Sequence, residues 1–317
     1  MSSGHPTLMR SPECERQALR RTRRVHWRGT DVPAHVPDRV AGFAGLRGDE
    51  AVTEQMAVAV ERRDENVLVV EHQDLDGQLT CVAVVIEDAR FGERRWTVET
   101  VAPPTDPRSH HRLLDTVLEL PGRPATVVWR PPSIGMSRFP IPSGASVERT
   151  ILELRGPVPP RVARPRHVRL VDAAGSGDVA ARILEVNNSA FGTHPEQGAL
   201  SRRELDERMQ APWFDPALLL LAVDERSGAD AGFVWMKCAP GRPVELYVVA
   251  VLPGSGLRGL GRFLVAEGFA TAAERGAGDA GMLHVDAAND RALGLYRSLG
   301  FTSVRRQDVV RIPTGSA

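Results

Sequence analysis

The chain has 317 residues with 40 basic and 40 acidic side chains, a length that suggests about two domains and a balance that gives no whole-chain field to draw in nucleic acid or a membrane surface. Its three cysteines, Cys14, Cys81 and Cys238, are odd in number and lack metal-ligand spacing, so no metal is expected and a reducing cytoplasm fits best. No apolar run approaches the roughly 20 residues of a spanning helix, and no N-terminal apolar core suggests a signal peptide.

Residues 1–38 read as a disordered basic tail, with six arginines between Arg16 and Arg28 and no acid among them. A first domain is expected over 39–155. Ala51 to Arg62 has amphipathic helical spacing, and β-branched runs at 66–72 and 79–87 flank DLDG, a hairpin turn. WTVETVA at 96–102 is a further strand. The loop after it, PPTDPRSHH, has no glycine; Pro103, Pro104 and Pro107 lack N–H donors, and Asp106 would repel an anion. LLDTVLEL then resumes a helix. RGPVPPRVARPR, Arg155 to Arg166, reads as an extended, semi-rigid linker, which sets 156–165 between the first domain and a second over 166–317.

In the second domain HVRLVD at 167–172 is a strand and 179–191 a helix ending near Gly192. HPEQ, His194 to Gln197, is a polar loop. Ser201, with Glu204 three residues on, makes a capping box for a helix through Met209. Residues 217–225 and 231–237 form a hairpin of core strands. Only one lysine, Lys237, and two tyrosines, Tyr247 and Tyr296, occur in the whole chain, and all three fall in this half.

The stretch from Val244 to Gly276 is the centre of the second domain. Residues 244–251 are apolar and largely β-branched, as in a strand buried on both faces. Gly254, Gly256, Gly259 and Gly261 follow, and from Gly259 a helical pattern takes over with Leu260, Phe263 and Leu264 on one side. Such glycines let main-chain N–H groups turn inward, and the helix adds unpaired amides and the positive end of its dipole, so main chain alone can hold a diphosphate. Taken by itself, the turn reads equally well as purely structural. Further on, LHVDAANDRALGLYRSLGF gives a short strand, Asn289, a helix carrying Ala292, Leu295 and Tyr296, and Gly300 as its cap.

These two segments resemble the GNAT superfamily of acyl-CoA-dependent N-acetyltransferases. Its phosphate loop reads Gln/Arg-x-x-Gly-x-Gly/Ala, and its next motif ends in a helical Tyr before a Gly-Phe. VNNSAFGTHPEQG from Val186, APWFDP from Ala211 and GFVWMK from Gly232 are similar to the catalytic half of the actinobacterial mycothiol synthase family, which has two tandem GNAT domains. The resemblance covers residues 166–312 well and the first half in general layout. It implies an α/β (α+β) fold of tandem GNAT domains, each a mixed, mostly antiparallel sheet flanked by helices, the N-terminal one degenerate. It also implies acetyl-CoA as co-substrate, a small-molecule amine as acceptor, in that family the cysteinyl amine of desacetylmycothiol, and a monomer without nucleic-acid or membrane partners.

Residue roles carry over the same way. Attack of an amine on a thioester needs a base, a donor for the developing oxyanion and an acid for the thiolate. The resemblance assigns these to Glu245, to main-chain N–H groups at Val249 and Val251, and to Tyr296. Without it, Glu245 reads as a surface glutamate at a strand end and Tyr296 as a core tyrosine. Leu257, Arg258, Gly259, Leu260 and Gly261 are expected to hold the diphosphate, Asn289 the loop or cofactor, and the loop with His194 and Glu196 the acceptor. Lys237 either pairs with Glu245 or meets the acceptor. Two residues depart from the family: Gly256 stands where Gln or Arg is usual, and Leu252 replaces an acidic residue. Cys238 has no histidine nearby in sequence to make it a nucleophile. A paralogue acting on another amine and a non-catalytic binding module are the competing readings.

Overall fold

The computed structural model describes residues 23–46, 53–88, 93–103, 106–174, 179–192 and 200–314. In chain order the strands are β1 Arg23–Arg28, β2 Val67–Gln73, β3 Leu79–Asp88, β4 Arg95–Val101, β5 Thr126–Arg130, β6 Ser146–Pro157, β7 Val168–Asp172, β8 Leu219–Asp224, β9 Asp230–Lys237, β10 Val244–Val251, β11 Ala280–Asp286 and β12 Thr302–Pro313. The α-helices are α1 Val36–Leu46, α2 Glu54–Arg62, α3 Pro107–Leu118, α4 Val179–Phe191, α5 Arg202–Met209, α6 Leu260–Glu274 and α7 Asp290–Ser298. They divide into two compact units, Met1–Thr150 with Arg306–Ala317, and Ile151–Arg305. The boundary thus falls inside β6, ahead of the proline-rich segment.

In the first unit β1, β2, β3 and β4 are antiparallel neighbours, β4 and β5 run parallel, and the end of β12 pairs antiparallel with β5 through Val310↔Trp129. β2 is buried along its whole length, because VLVVEHQ offers apolar side chains to both faces. On one face α3 packs Leu113, Leu114 and Val117 against Trp96, Val98 and Trp129; on the other, Val36, Val40, Met56 and Val60 of α1 and α2 cover Val69, Val84 and Val101.

The expected disordered tail is corrected over residues 23–38. Arg23–Arg28 pairs in register with β2. The alternation that permits this is carried by Val25 and Trp27, whose indole packs on the α1–α2 face. Arg24, His26 and Arg28, which alternate with them, are exposed, and Arg24 meets Glu119 and Arg28 meets Glu87.

The second unit orders its strands β12, β6, β11, β10, β9, β8, β7, with β10 and β11 parallel and the other pairs from β6 to β7 antiparallel. One face packs α6 and α7 through Leu260, Phe263, Leu264, Phe269, Leu293 and Tyr296. The other packs α4 and α5 through Ile183, Val186 and Leu205. Ser201 caps α5 in the expected capping box with Glu204.

Candidate active site

β10 sets the geometry. It pairs with β11 only from Val244↔Gly281 to Leu246↔Leu283; beyond Leu246 the two parallel strands part. On its other edge β10 stays paired with β9 to Val251↔Gly232, with a bulge at Tyr247. Before the bulge Val244 and Leu246 face α6 and α7, and after it Val248 and Ala250 face α4 and α5. One extra residue therefore exchanges the two faces of the strand. Leu252 donates its N–H to Ala231 O at 2.9 Å. Since strand amides alternate sides, those of Val248 and Ala250 also point to β9, and those of Val249 and Val251 point to the side from which β11 has departed. Two donors thus face the opening between the strands.

The glycine turn lies at the end of this opening. Gly254, Gly256 and Gly259 have φ of 83°, 67° and 78°, values that L side chains rarely adopt. A Cβ built on any of the three would meet nothing within 4 Å, so the space above the turn is open. Gly259 is the N-cap of α6 and supplies no side-chain hydrogen bond; the Leu260 N–H donates to Leu257 O at 3.3 Å, and the next two amides, of Gly261 and Arg262, have no partner within the helix. Arg258 is exposed beside them. This open, cationic, amide-lined turn has the chemistry of a diphosphate site. The positive φ of Gly256 is one that glycine adopts without strain.

Glu245 is opposite Lys237 on β9 and Met282 on β11, on the sheet face away from α6. Its side chain is 16% exposed, and His284 Nδ1 stands 3.5 Å from its Oε1. Lys237 lies on the same face with Nζ 5.0 Å from the centre of the Trp213 ring and 5.6 Å from that of Tyr247, cation–π distances. Trp213, Tyr247, Trp235 and Phe214 form one aromatic group, with Trp213 and Tyr247 centroids 4.9 Å apart. His284 and this aromatic stack around Lys237 were not singled out from the sequence.

Tyr296 faces the other way, into the core under α6 and α7, and burial pushes its phenol up to about 12. No contact joins it to Glu245 among the described residues. Leu257, Val249, Val251 and Leu295 pack against the same core. Asn289 caps α7, its side chain accepting the Ala292 N–H at 3.1 Å. Burial raises the Cys238 thiol, as does nearby Asp215, the opposite of what a thiolate nucleophile requires. His194 and Glu196 lie outside the described residues. Among those described, no group of three or more His, Cys, Asp or Glu could hold a metal ion, and no helix is long and apolar enough to cross a membrane.

Residues 182–301 match the family model described as the Acetyltransferase (GNAT) family. The chain is 36% identical over 279 residues to a mycothiol acetyltransferase of Clavibacter michiganensis subsp. michiganensis, a match spanning 84% of this chain and 89% of that protein. The chain belongs to the GNAT acetyltransferase family. It is an N-acetyltransferase with the tandem GNAT fold. A mycothiol acetyltransferase of Mycolicibacterium smegmatis is 40% identical over 185 residues, 57% of this chain and 62% of that protein. In three dimensions the chain resembles a tandem GNAT protein from the clavulanic acid biosynthesis pathway, with a TM-score of 0.65 at 13% identity over 93% and 99% of the two chains. A GCN5-related N-acetyltransferase of Sphaerobacter thermophilus gives 0.61 at 21% identity over 92% and 96%.

Against its GNAT second unit, the first unit repeats the same strand–helix–strand order in β4, α3 and β5 with a different filling. β4 and β5 stay paired for longer, from Arg95↔Thr126 to Glu99↔Arg130. Trp129 and Phe139 are buried with centroids 5.8 Å apart, and the His110 ring meets Phe139 at 5.3 Å. Thr100 Oγ1 accepts the Trp129 indole N–H at 3.1 Å and lies 2.9 Å from His110 Nδ1. Burial pushes His110 down to about 4, so the ring is neutral at physiological pH. Asp106 caps α3, accepting from the N–H groups of Arg108 at 3.1 Å and Ser109 at 3.3 Å. The amides that would grip an anion are already bound to a carboxylate.

Proposed function

We propose that the chain transfers acetyl from acetyl-CoA to the cysteinyl amine of desacetylmycothiol, directly and without an acyl-enzyme, using the second unit alone. The observation that carries this reading is the open turn at Gly254–Gly259, leading into the parting of β10 and β11 with Glu245 at its start. The similarity to mycothiol acetyltransferases along most of both chains supports the acceptor.

In this mechanism the main chain from Leu257 to Gly261, with Arg258, holds the diphosphate. The thioester reaches through the opening, and the amides of Val249 and Val251 donate to its oxygen as charge develops there; one such donor is worth about 3 kcal/mol. Glu245 takes a proton from the acceptor ammonium, directly or through water. Lys237, stacked on Trp213 and Tyr247, and the loop with His194 and Glu196 shape the acceptor side. Asn289 acts through its cap, fixing the start of α7 and so the place of Tyr296.

Tyr296 serves the leaving sulfur. With its phenol pushed up to about 12, it stays protonated at working pH, but complete transfer to a thiolate of about 8.5 is uphill by roughly 5 kcal/mol. Its contribution is therefore a hydrogen bond to the sulfur as negative charge collects, with full protonation following departure.

The test is acetylation by purified protein of desacetylmycothiol, glucosamine and an aminoglycoside, each with acetyl-CoA, followed by thiol release. Turnover of desacetylmycothiol well above the other two is expected. Preference for another amine makes the chain a paralogue, and inertness towards all three despite acetyl-CoA binding makes it a binding module.

A further inference from the structure

Beside Glu245 stands a group that the mechanism above leaves unused. His284 approaches Glu245 because of register: Glu245 pairs with Met282, and His284, two residues further along β11, projects to the same face. Its Nδ1 is 3.5 Å from Glu245 Oε1, and its side chain is 35% exposed against 16% for the glutamate. The imidazole therefore lies between a mostly buried carboxylate and solvent.

Other charged groups share its face: Asp286, two residues on along β11, accepts the Ala288 N–H at 2.9 Å. On β6 Glu153 is directly across from His284 and Arg155 across from Met282. Glu153 is held by Arg155 at 2.6 Å and by Arg305 of β12 at 3.5 Å, so its charge is already balanced. On the β10 side stand Glu245 itself and, opposite it on β9, Lys237. The carboxylate at the opening of the strands, Glu245, has the His284 Nδ1 at 3.5 Å from its Oε1.

We propose that His284 is a proton relay that clears Glu245 after each turnover, receiving the acceptor's proton across the Nδ1–Oε1 contact and releasing it to solvent from its exposed edge. The inference rests on Glu245 acting as the base. The balance closes without another reactant. An ammonium and a thioester become an amide, a thiol and one proton; the C–N bond forms as the C–S bond breaks. One nitrogen proton is replaced on the thiolate side by the proton that makes the thiol, and the other leaves through Glu245 and His284. Transfer from a carboxylic acid to an imidazole is downhill by about 2 pKa units between the unperturbed groups, and an imidazole exchanges with water readily near neutrality.

The experiment uses the full chain and its His284→Ala variant, with desacetylmycothiol or, should the wild type refuse it, whichever amine of the panel it acetylates. In dilute buffer, His284→Ala is expected to lower kcat by about tenfold, within the range of lost proton-transfer assistance, with KM for acetyl-CoA unchanged. Free imidazole or concentrated buffer should restore its rate, and should do nothing for Glu245→Gln. A His284→Ala rate equal to wild type overturns the relay, as does a loss that imidazole and buffer leave in place. His284→Gln, assayed alongside with thermal unfolding, separates misfolding from the relay, since a folded glutamine variant must show the same rescue-free deficit in dilute buffer. If Glu245→Gln turns over like wild type, the base assignment itself falls; if it is slow while His284→Ala is not, the relay alone does.

Discussion

Glu245 and Tyr296 are the two side chains on which the proposed chemistry turns, and they have unlike surroundings. Glu245 is mostly buried, beside His284, whereas Tyr296 is buried under α6 and α7 with its acidity suppressed. Glu245→Gln should lower kcat by at least about tenfold, the lower bound for loss of a general base, with acetyl-CoA affinity unchanged by calorimetry. Tyr296→Phe removes only a hydrogen-bond donor from the core and should cost about tenfold in kcat; wild-type rates in both variants would remove the mechanism. Both residues were singled out in the sequence only through the family resemblance, because each lies within a motif that the resemblance covers. His284 was not, since what gives it meaning is a partner 39 positions earlier, Glu245, reached across a parallel ladder that no local pattern encodes. The stacking of Lys237 on Trp213 and Tyr247 was hidden for the same reason.

At the scale of elements, α3 and α6 begin alike and end up opposite. Both follow a central strand of their unit, yet α3 is capped by the carboxylate of Asp106 and α6 by a glycine with no side chain to offer. The sequence showed the first loop to be poor in glycine and rich in proline; that Asp106 satisfies the helix amides, and does not merely repel an anion, needed the structure. Giving α6 the cap of α3 should reproduce its state. Gly259→Asp should weaken acetyl-CoA binding by tenfold or more, about 1.4 kcal/mol, while Gly259→Asn, of the same shape and equally tolerant of positive φ, should weaken it less. Equal losses in the two variants, read by calorimetric titration, would show strain and not charge to be responsible. The bulge at Tyr247 was likewise invisible beforehand, because 244–251 is mostly apolar and largely β-branched and so carries no mark of where its faces exchange.

For the whole molecule, the two units share a topology but only one presents an open anion site. Titration of the full chain should therefore saturate at one acetyl-CoA per chain, and a stoichiometry of two would mean that the first unit binds as well. The α/β class and the tandem organisation were expected from the family resemblance, and a chain of about two domains from length. The division itself could not be read from either, for β12 begins in the second unit at Thr302 and from Arg306 belongs to the first, where Val310 to Pro313 pair with β5. That pairing joins Trp129 to Val310 across a sequence separation of 181, 310 less 129. On the ribosome, where residues emerge in order, β5 must wait with one side bare until residues 310–313 arrive, so the unit that starts first closes only after the whole second unit, Ile151–Arg305, has been made.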